Sequence, residues 1–281
     1  MLAFSALVAG SFSLGATAAP FIDPAALSSL RFCIAAVLVG AAAWASGGVN
    51  RQAFQAPWRF VILGGLMAIY FVLMFEGLKT AAPVSAAAVF TLIPIMAAGF
   101  GWLFLRQQVT RRMAIALTLG AAGAVWVIFR GDWRAMIGLH IGRGEAVYFC
   151  GCVAHAAYAP LVRKLNRGEP AVVFTFGMLV AGSVLLTGWS GPALRATDWH
   201  ALPGIVWVTL VYIAVAATAA TFVLTQFASL RLPAAKVMAY TYLTPAWVIL
   251  WEMARGGMPP PWILLTGLAL TVSALWLLLK E

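Results

Sequence analysis

The sequence predicts an all-α integral membrane protein of ten transmembrane helices, arranged as two inverted five-helix units. Three observations carry this: a composition too apolar for a water-soluble globule, ten apolar blocks of span length, and a self-similarity at an offset near 150 residues. Of 281 residues, 63% are hydrophobic and 9% charged, against roughly 45–50% apolar and about 25% charged in soluble domains. Polar surface is too scarce to cover a globule. A helix needs about 20 residues to cross a bilayer, so ten use roughly 200 and leave about eight per connection. No soluble domain fits in the remainder.

The blocks run as follows. Span 1, residues 2–18, contains Ser11, Ser13 and Gly15, which permit a bend; it ends in Ala16-Thr17-Ala18, faintly like a signal-peptidase site. No Lys or Arg precedes it as a signal peptide requires, so it is read as a retained span. Span 2, 24–46, opens on Asp23-Pro24 and carries Arg31 inside; spans 3, 4 and 5 cover 57–79, 83–104 and 110–129, with Pro94 within span 4. Residues 131–142 form an external connection between a first unit, 1–130, and a second, 143–281. Spans 6 to 10 cover 143–163, 170–188, 203–226, 233–253 and 260–279, with Pro245 inside span 9. These runs are continuously apolar, whereas the strands of an outer-membrane barrel alternate over about ten residues. Ten of the twelve tryptophans, all but Trp207 and Trp247, fall at span ends or connections, as an interfacial belt requires.

The internal repeat sets the architecture. Asp23-Pro24 opens span 2 as Glu169-Pro170 opens span 7, and Thr91-Leu-Ile-Pro94 matches Tyr242-Leu-Thr-Pro245. Met113–Gly120 in span 5 resembles Trp262–Gly267 in span 10. Five is odd, so the second copy enters the membrane from the opposite side. Inverted repeats of this kind are associated with secondary transporters whose site lies near the midplane.

Charge orients the chain. Connections on the side of the termini hold Arg51, Arg59, Arg106, Arg111, Arg112, Arg163, Lys164, Arg167, Arg231 and Lys280. The other side holds Lys79, Arg130, Arg134, Arg143, Arg195 and Arg255, with Arg31 and Lys236 inside spans. The excess predicts both termini in the cytoplasm, with the bacterial inner membrane as the expected location. The net charge of +10 is scattered rather than gathered in a basic stripe, so it points to topology and not to nucleic acid. Cys33, Cys150 and Cys152 lie in apolar blocks without metal-ligand or redox spacing; no disulfide, metal or cofactor is expected.

The stretch from Phe75-Glu-Gly-Leu-Lys through Pro83 to Pro94, then Trp102-Leu-Phe-Leu105 and a glycine-bearing fifth span, resembles the EamA repeat of the drug/metabolite transporter superfamily. Asp23-Pro24 with Arg31, and Gly144-Glu-Ala-Val with Leu161-Val-Arg-Lys-Leu165, resemble it too. The likeness covers nearly the whole chain as two copies. It implies a ten-helix exporter or exchanger of small organic solutes, with a cavity lined mainly by spans 1, 3, 4, 6, 8 and 9. Members resembling YddG export aromatic and other neutral amino acids, which makes these the first substrate expectation. The chain departs from the family where Leu-Gly-Glu usually ends span 4, reading Leu105-Arg106-Gln107, and again at Arg255-Gly256-Gly257. Those helix ends are expected to cap differently.

A solute at membrane depth must find its hydrogen bonds among few polar side chains, and such groups tend to face the bundle interior. Span 6 places Tyr148, Cys152, His155 and Tyr158 close to one helical face. His155 has two readings, a ligand or proton shuttle and a neutral histidine bonded to a neighbouring helix. Span 8 aligns Thr218, Thr221 and Thr225, which either face a solute or bond their own helix. Span 9 aligns Lys236, Tyr240 and Thr244; Lys236 either attracts an anion or snorkels to water. Phe12, Tyr70 and Phe90, near mid-span, form a wall for an apolar solute or plain core. Gly15, Pro94 and Pro245 interrupt or loosen their helices and suit hinges. Glu76 and Lys79 form a local pair, while Glu145 and Glu252, with His155, are the candidates for proton coupling; capping or exposure is the competing reading for both glutamates.

Other classes lack their signatures. There is no His-Glu-x-x-His, no Gly-x-Ser-x-Gly and no paired aspartates within spans for an intramembrane enzyme. No charged ring suits a channel, and no Walker loop supports a chain driven by its own ATP hydrolysis.

Overall fold

The computed structural model describes residues 1–47, 54–137 and 141–280. Arg51 and residues 138–140 of the expected connection lie outside the described residues. All regular structure among the described residues is helical. In chain order it comprises α1 (Leu2–Ala18), α2 (Pro24–Ala45), α3 (Trp58–Leu78), α4 (Pro83–Phe90), α5 (Ile93–Leu105), α6 (Arg111–Ile128), the short α7 (Trp133–Ile137), α8 (Arg143–Leu165) and α9 (Ala171–Ala196). Then α10 (Gly204–Ala214) passes through a π-helical turn, Val215–Ala220, into α11 (Thr221–Ser229). Last come α12 (Ala234–Met238), a 3-10 turn (Ala239–Leu243), α13 (Thr244–Ala254) and α14 (Trp262–Leu279).

Among the described residues, eight runs are long and apolar enough to cross a membrane: α2, α3, α4 with α5, α6, α8, α9, α10 through α11, and α14. The apolar α1 has 17 residues. The run α12 to α13 is divided by its 3-10 turn. Helix α9 continues past the expected end at residue 188 to Ala196, carrying Pro192 in its last turns. A proline near a helix end forfeits little of the ladder, and the Trp199 indole N–H satisfies the Leu194 carbonyl at 3.2 Å.

Lipid tails are as apolar as leucine, so helices associate through close packing of small residues and through buried hydrogen bonds. At the crossing of α3 and α9, a Cβ on Gly64 would lie 2.6 Å from the Gly182 nitrogen and 2.7 Å from the Met178 carbonyl oxygen. Only hydrogen fits there. Helices α6 and α14 meet at Gly123 and Gly267, and the Trp126 indole donates to the Ile263 carbonyl at 2.8 Å. Helix α2 lies on α9, where Ser29 and Thr187 share a hydrogen bond of 2.9 Å. Helix α3 also lies along α8, while α10 and α13 hold α1: the Tyr212 hydroxyl donates to the Leu7 carbonyl at 2.8 Å and the Trp247 indole to Ser5 Oγ at 3.2 Å.

The two acid–proline openers have different tasks. Asp23 caps α2, accepting from the Ala25 and Ala26 N–H groups at 2.9 and 3.1 Å, the usual service at a helix start. Glu169 accepts instead from buried Arg59 at 2.7 Å and from the Arg167 N–H at 2.6 Å. Arg59 also donates to the Leu165 carbonyl at 2.7 Å, so the start of α3 is tied to the α8–α9 connection. Where the family usually has Gly-Glu, Arg106 takes a left-handed conformation at φ 55°. The Gln107 N–H then closes the end of α5 on the Gly101 carbonyl at 3.2 Å, and its side-chain oxygen accepts the Ala234 N–H at 3.2 Å at the start of α12.

Two outcomes follow. Arg106→Gly removes a side chain from a conformation that favours glycine, a relief of about 1 kcal/mol, and should raise the unfolding temperature of the detergent-solubilised protein. For Glu169, burial opposes ionisation, but the bond from Arg59 and the N–H donors outweigh it and hold the carboxyl below its ordinary 4.5. Its contribution is present above 4.5 and is lost as pH falls through the lowered folded value. Thermal melts descending from neutral pH should therefore lose stability below 4.5 in the wild type, and Glu169→Gln should start lower and flatten that loss.

Candidate functional site

Three stretches of broken backbone interrupt the helices. Between α4 and α5 the ladder is interrupted at Thr91-Leu92, and Pro94, which has no N–H to give, stands in the first turn of α5. Thr91 Oγ1 donates to the Ala88 carbonyl at 2.6 Å. Pro245 likewise stands in the first turn of α13, after the 3-10 turn. In the π-helical turn, Thr218 Oγ1 donates to the Ile213 carbonyl at 2.7 Å, and the Ala217 carbonyl accepts from Arg31 Nη2 at 2.8 Å. Non-helical backbone at membrane depth is tolerated only where protein or a cavity surrounds it.

A cavity lies against the first break and the π-helical turn, lined by Phe4, Val8 and Ser11 of α1, Arg31 of α2, Met67, Tyr70 and Phe71 of α3, and Phe90 of α4. His155 and Tyr158 of α8, Ala217 of the π turn, and Thr221, Phe222 and Thr225 of α11 complete it. Its free volume is about 10 Å3, room for a single water molecule. The His155 ring stacks on Tyr70, at 4.4 Å, and on Phe90, at 5.5 Å, and those two rings also contact each other at 6.1 Å. Its Nδ1 is buried without a hydrogen-bond partner. Two turns back along α8, the Tyr148 hydroxyl shares a hydrogen bond of 3.0 Å with that of Tyr70. Phe12 packs edge-on against Phe90 and Tyr148, at 5.6 and 5.9 Å.

Of the residues singled out from the sequence, Tyr70, Phe90, His155, Tyr158 and Thr221 line this cavity. Phe12 and Tyr148 form the aromatic layer beside it, and Thr218 accepts from Arg31 Nε. Lys236 is half-buried on α12, Tyr240 half-buried in the 3-10 turn and Thr244 buried at the start of α13; none of the three lines the cavity. Span 9 contributes nothing to this lining, since α13 packs on the α1 helix that presents Phe4, Val8 and Ser11 to the cavity, and α2 adds Arg31. Gly15 lies in an uninterrupted α1, where a Cβ would meet the Phe75 ring at 2.8 Å. Glu145 accepts from Ser85 Oγ at 2.8 Å and borders a separate pocket with Arg130 and Asp132. Glu252 pairs with Arg255 at 3.8 Å, half-exposed, away from the cavity.

Arg31 is the residue the sequence reading passed over as a binding group. It is fully buried, its guanidinium carbon 3.5 Å from the centre of the Phe71 ring. The available signal was its presence inside an apolar span, which by default marks a functional position.

The description "EamA-like transporter family" matches residues 1–129 and again 142–280. A Bacillus subtilis protein called an uncharacterized transporter, YyaM, is 24% identical over 217 residues, which are 76% of this chain and 71% of that one. One crystal structure of a protein aligns with a TM-score of 0.74 at 21% identity over 98% of this chain and 94% of the other, a likeness of fold.

The tyrosine pair yields a thermodynamic test. Tyr148→Phe strands the Tyr70 hydroxyl in a buried site and should cost about 1–3 kcal/mol. Removing both hydroxyls in Tyr70→Phe/Tyr148→Phe should cost less than the two single changes summed, as measured by a double-mutant cycle of unfolding in detergent.

Proposed function

Because the chain belongs to the EamA-like transporter family, we propose that it is a secondary transporter that exports or exchanges small organic solutes, foremost aromatic and other neutral amino acids. It works by alternating access around the aromatic cavity. The observation that carries this reading is the cavity itself, a nearly closed space in the bundle lined from both halves of the chain by stacked rings, hydroxyls and two nitrogenous side chains.

The reading takes ten spans in two inverted units, 1–130 and 143–281, joined by the external connection 131–142. Support comes from the double family match and from the packing: α2 lies on α9 and α6 on α14, each a pairing of a span with its counterpart five spans later. A two-fold relation brings such counterparts together at its axis. Pro94 and Pro245 open the second halves of two broken helices at matching places, which suits paired hinges, with Gly15 as a third point of close packing. The relative named a transporter supports the class of activity. The excess of Lys and Arg on the terminal side supports cytoplasmic termini in a bacterial inner membrane.

Within this scheme the Tyr70–Tyr148 bond and Phe12 form the closed barrier on the external side of the cavity. A free volume of about 10 Å3 cannot admit an amino acid. Loading requires the helices to separate. Phe90, Tyr158, Thr218 and Thr221 supply ring faces and hydroxyls to the solute, with Lys236, Tyr240 and Thr244 on the adjoining broken helix as its path when the cavity opens. His155 in the cavity, and Glu145 and Glu252 nearer the ends of their helices, are the candidate coupling sites of this reading.

Purified protein in liposomes should take up radiolabelled tryptophan and phenylalanine at saturable rates and show counterflow. His155→Ala should lower uptake about tenfold or more, corresponding to roughly 1.4 kcal/mol of lost interaction, while Trp133→Phe in the outer connection should leave it unchanged. Turnover of a lipid with no solute flux would overturn the transporter reading.

A further inference from the structure

The guanidinium of Arg31 is incompletely satisfied. Nε donates to Thr218 Oγ1 and Nη2 to the Ala217 carbonyl at 2.8 Å, and the Phe71 ring covers one face. Nη1 is buried with no hydrogen-bond partner. Among the described residues no carboxylate pairs with Arg31; the ion pairs there join Arg59 to Glu169, Lys79 to Glu76 and Arg255 to Glu252. Arg31 is the seventh residue after Pro24, so it lies about 10 Å along α2 from the helix start at 1.5 Å per residue. A charge held that deep in a bundle is normally matched by a counter-charge. Here a carbonyl, a hydroxyl and a ring face take part of the load, and three of the five N–H groups are left over, two of them on Nη1.

We propose that Arg31 is the anchor for a carboxylate of the transported solute, Nη1 donating to a carboxylate oxygen. The inference rests on the transporter reading above and names what the cavity selects: organic monocarboxylates with an apolar or aromatic remainder. Arg31 is the one formally charged side chain in the lining, counting His155 as neutral, and no acidic residue lines the cavity. A single cation suits a monoanion; a phosphate dianion would lack a second partner, since Lys236 is not in the lining. The other walls include the rings of Phe4, Tyr70, Phe71, Phe90 and Phe222, which fit a hydrophobic body. The ammonium of an amino acid finds ring faces and hydroxyls but no carboxylate, so it adds little, and a solute having only the ammonium meets the like charge of Arg31.

The test compares 3-phenylpropionate, L-phenylalanine and phenethylamine, with 4-methylpentanoate, L-leucine and 3-methylbutylamine as the aliphatic set. Each is applied to the purified full chain in lipid nanodiscs, with stabilisation against heat and inhibition of counterflow as readouts. Acids and amino acids should bind and the amines should not. Arg31→Gln should weaken acid binding about tenfold or more and abolish the preference over amines, and Arg31→Lys should retain part of it; a purely structural role for Arg31 would not move the acid-to-amine ratio. If Arg31→Gln fails to fold, the wild-type ranking and Arg31→Lys carry the test. Amines binding as well as acids, an unchanged ratio in folded Arg31→Gln, or no binding by any acid overturns the proposal. Binding by the aliphatic acids alone would remove the aromatic substrate and leave the Arg31 anchor. Transport of amino acids with a flat acid-to-amine ranking would do the reverse.

Discussion

Inside a bilayer no water is available to satisfy a peptide group, so each N–H and C=O at membrane depth must find its partner within the protein. This constraint decides where the chain is free to be irregular. The gap at Thr91-Leu92 is buried or half-buried, the π turn Val215–Ala220 points Ala217 and Thr218 inward while Val215 and Ala220 are exposed, and the 3-10 turn Ala239–Leu243 is again buried or half-buried. At the first two, side chains meet the loosened carbonyls: Thr91 takes Ala88, Thr218 takes Ile213 and Arg31 takes Ala217. Phe90, at the edge of the first stretch, and Ala217, within the second, are cavity residues. The location of the site and the location of broken backbone have one cause.

Hydropathy and proline made most of this plan readable in advance. Eight of the apolar blocks correspond to described helical runs long enough to cross a membrane, α9 running longer than expected, and Pro94 and Pro245 stand at two of the helix breaks. Helical spacing put His155 and Tyr158 on one face of α8, and both line the cavity. The π turn was invisible, since Val-Ala-Ala-Thr-Ala-Ala is as apolar and as small as the helix around it. Arg31 was visible as a charge in a span, but its partners lie 186 and 187 residues away. No local pattern encodes such a contact. Lys236, Tyr240 and Thr244 show the converse: a shared helical face does not say which neighbour it meets, and here α1 supplies the lining.

The matched segments of the two halves have diverged in the tasks of their polar residues. Asp23 serves its own helix as a cap, whereas Glu169 reaches across to Arg59 in the other half. Gln107 reaches the opposite way, from the end of α5 to the first turn of α12. Both cross-links join backbone-rich helix ends rather than helix faces, while the faces are joined by glycine contacts such as Gly64 with Gly182 and Gly123 with Gly267. Faces that touch backbone to backbone have no side chain to yield, so these pairs are suited to move as units.

The uncompensated guanidinium of Arg31 also has an electrical consequence. A change of access shifts the aqueous boundary past a fixed charge, so the transmembrane field falls across different layers before and after the shift. Carrying one elementary charge through the full field is worth about 2.3 kcal/mol per 100 mV, and even a fraction of that biases an equilibrium. On the alternating-access reading proposed above, an empty carrier with Arg31 unpaired would sense voltage, whereas one whose guanidinium held a bound anion would be close to electrically silent.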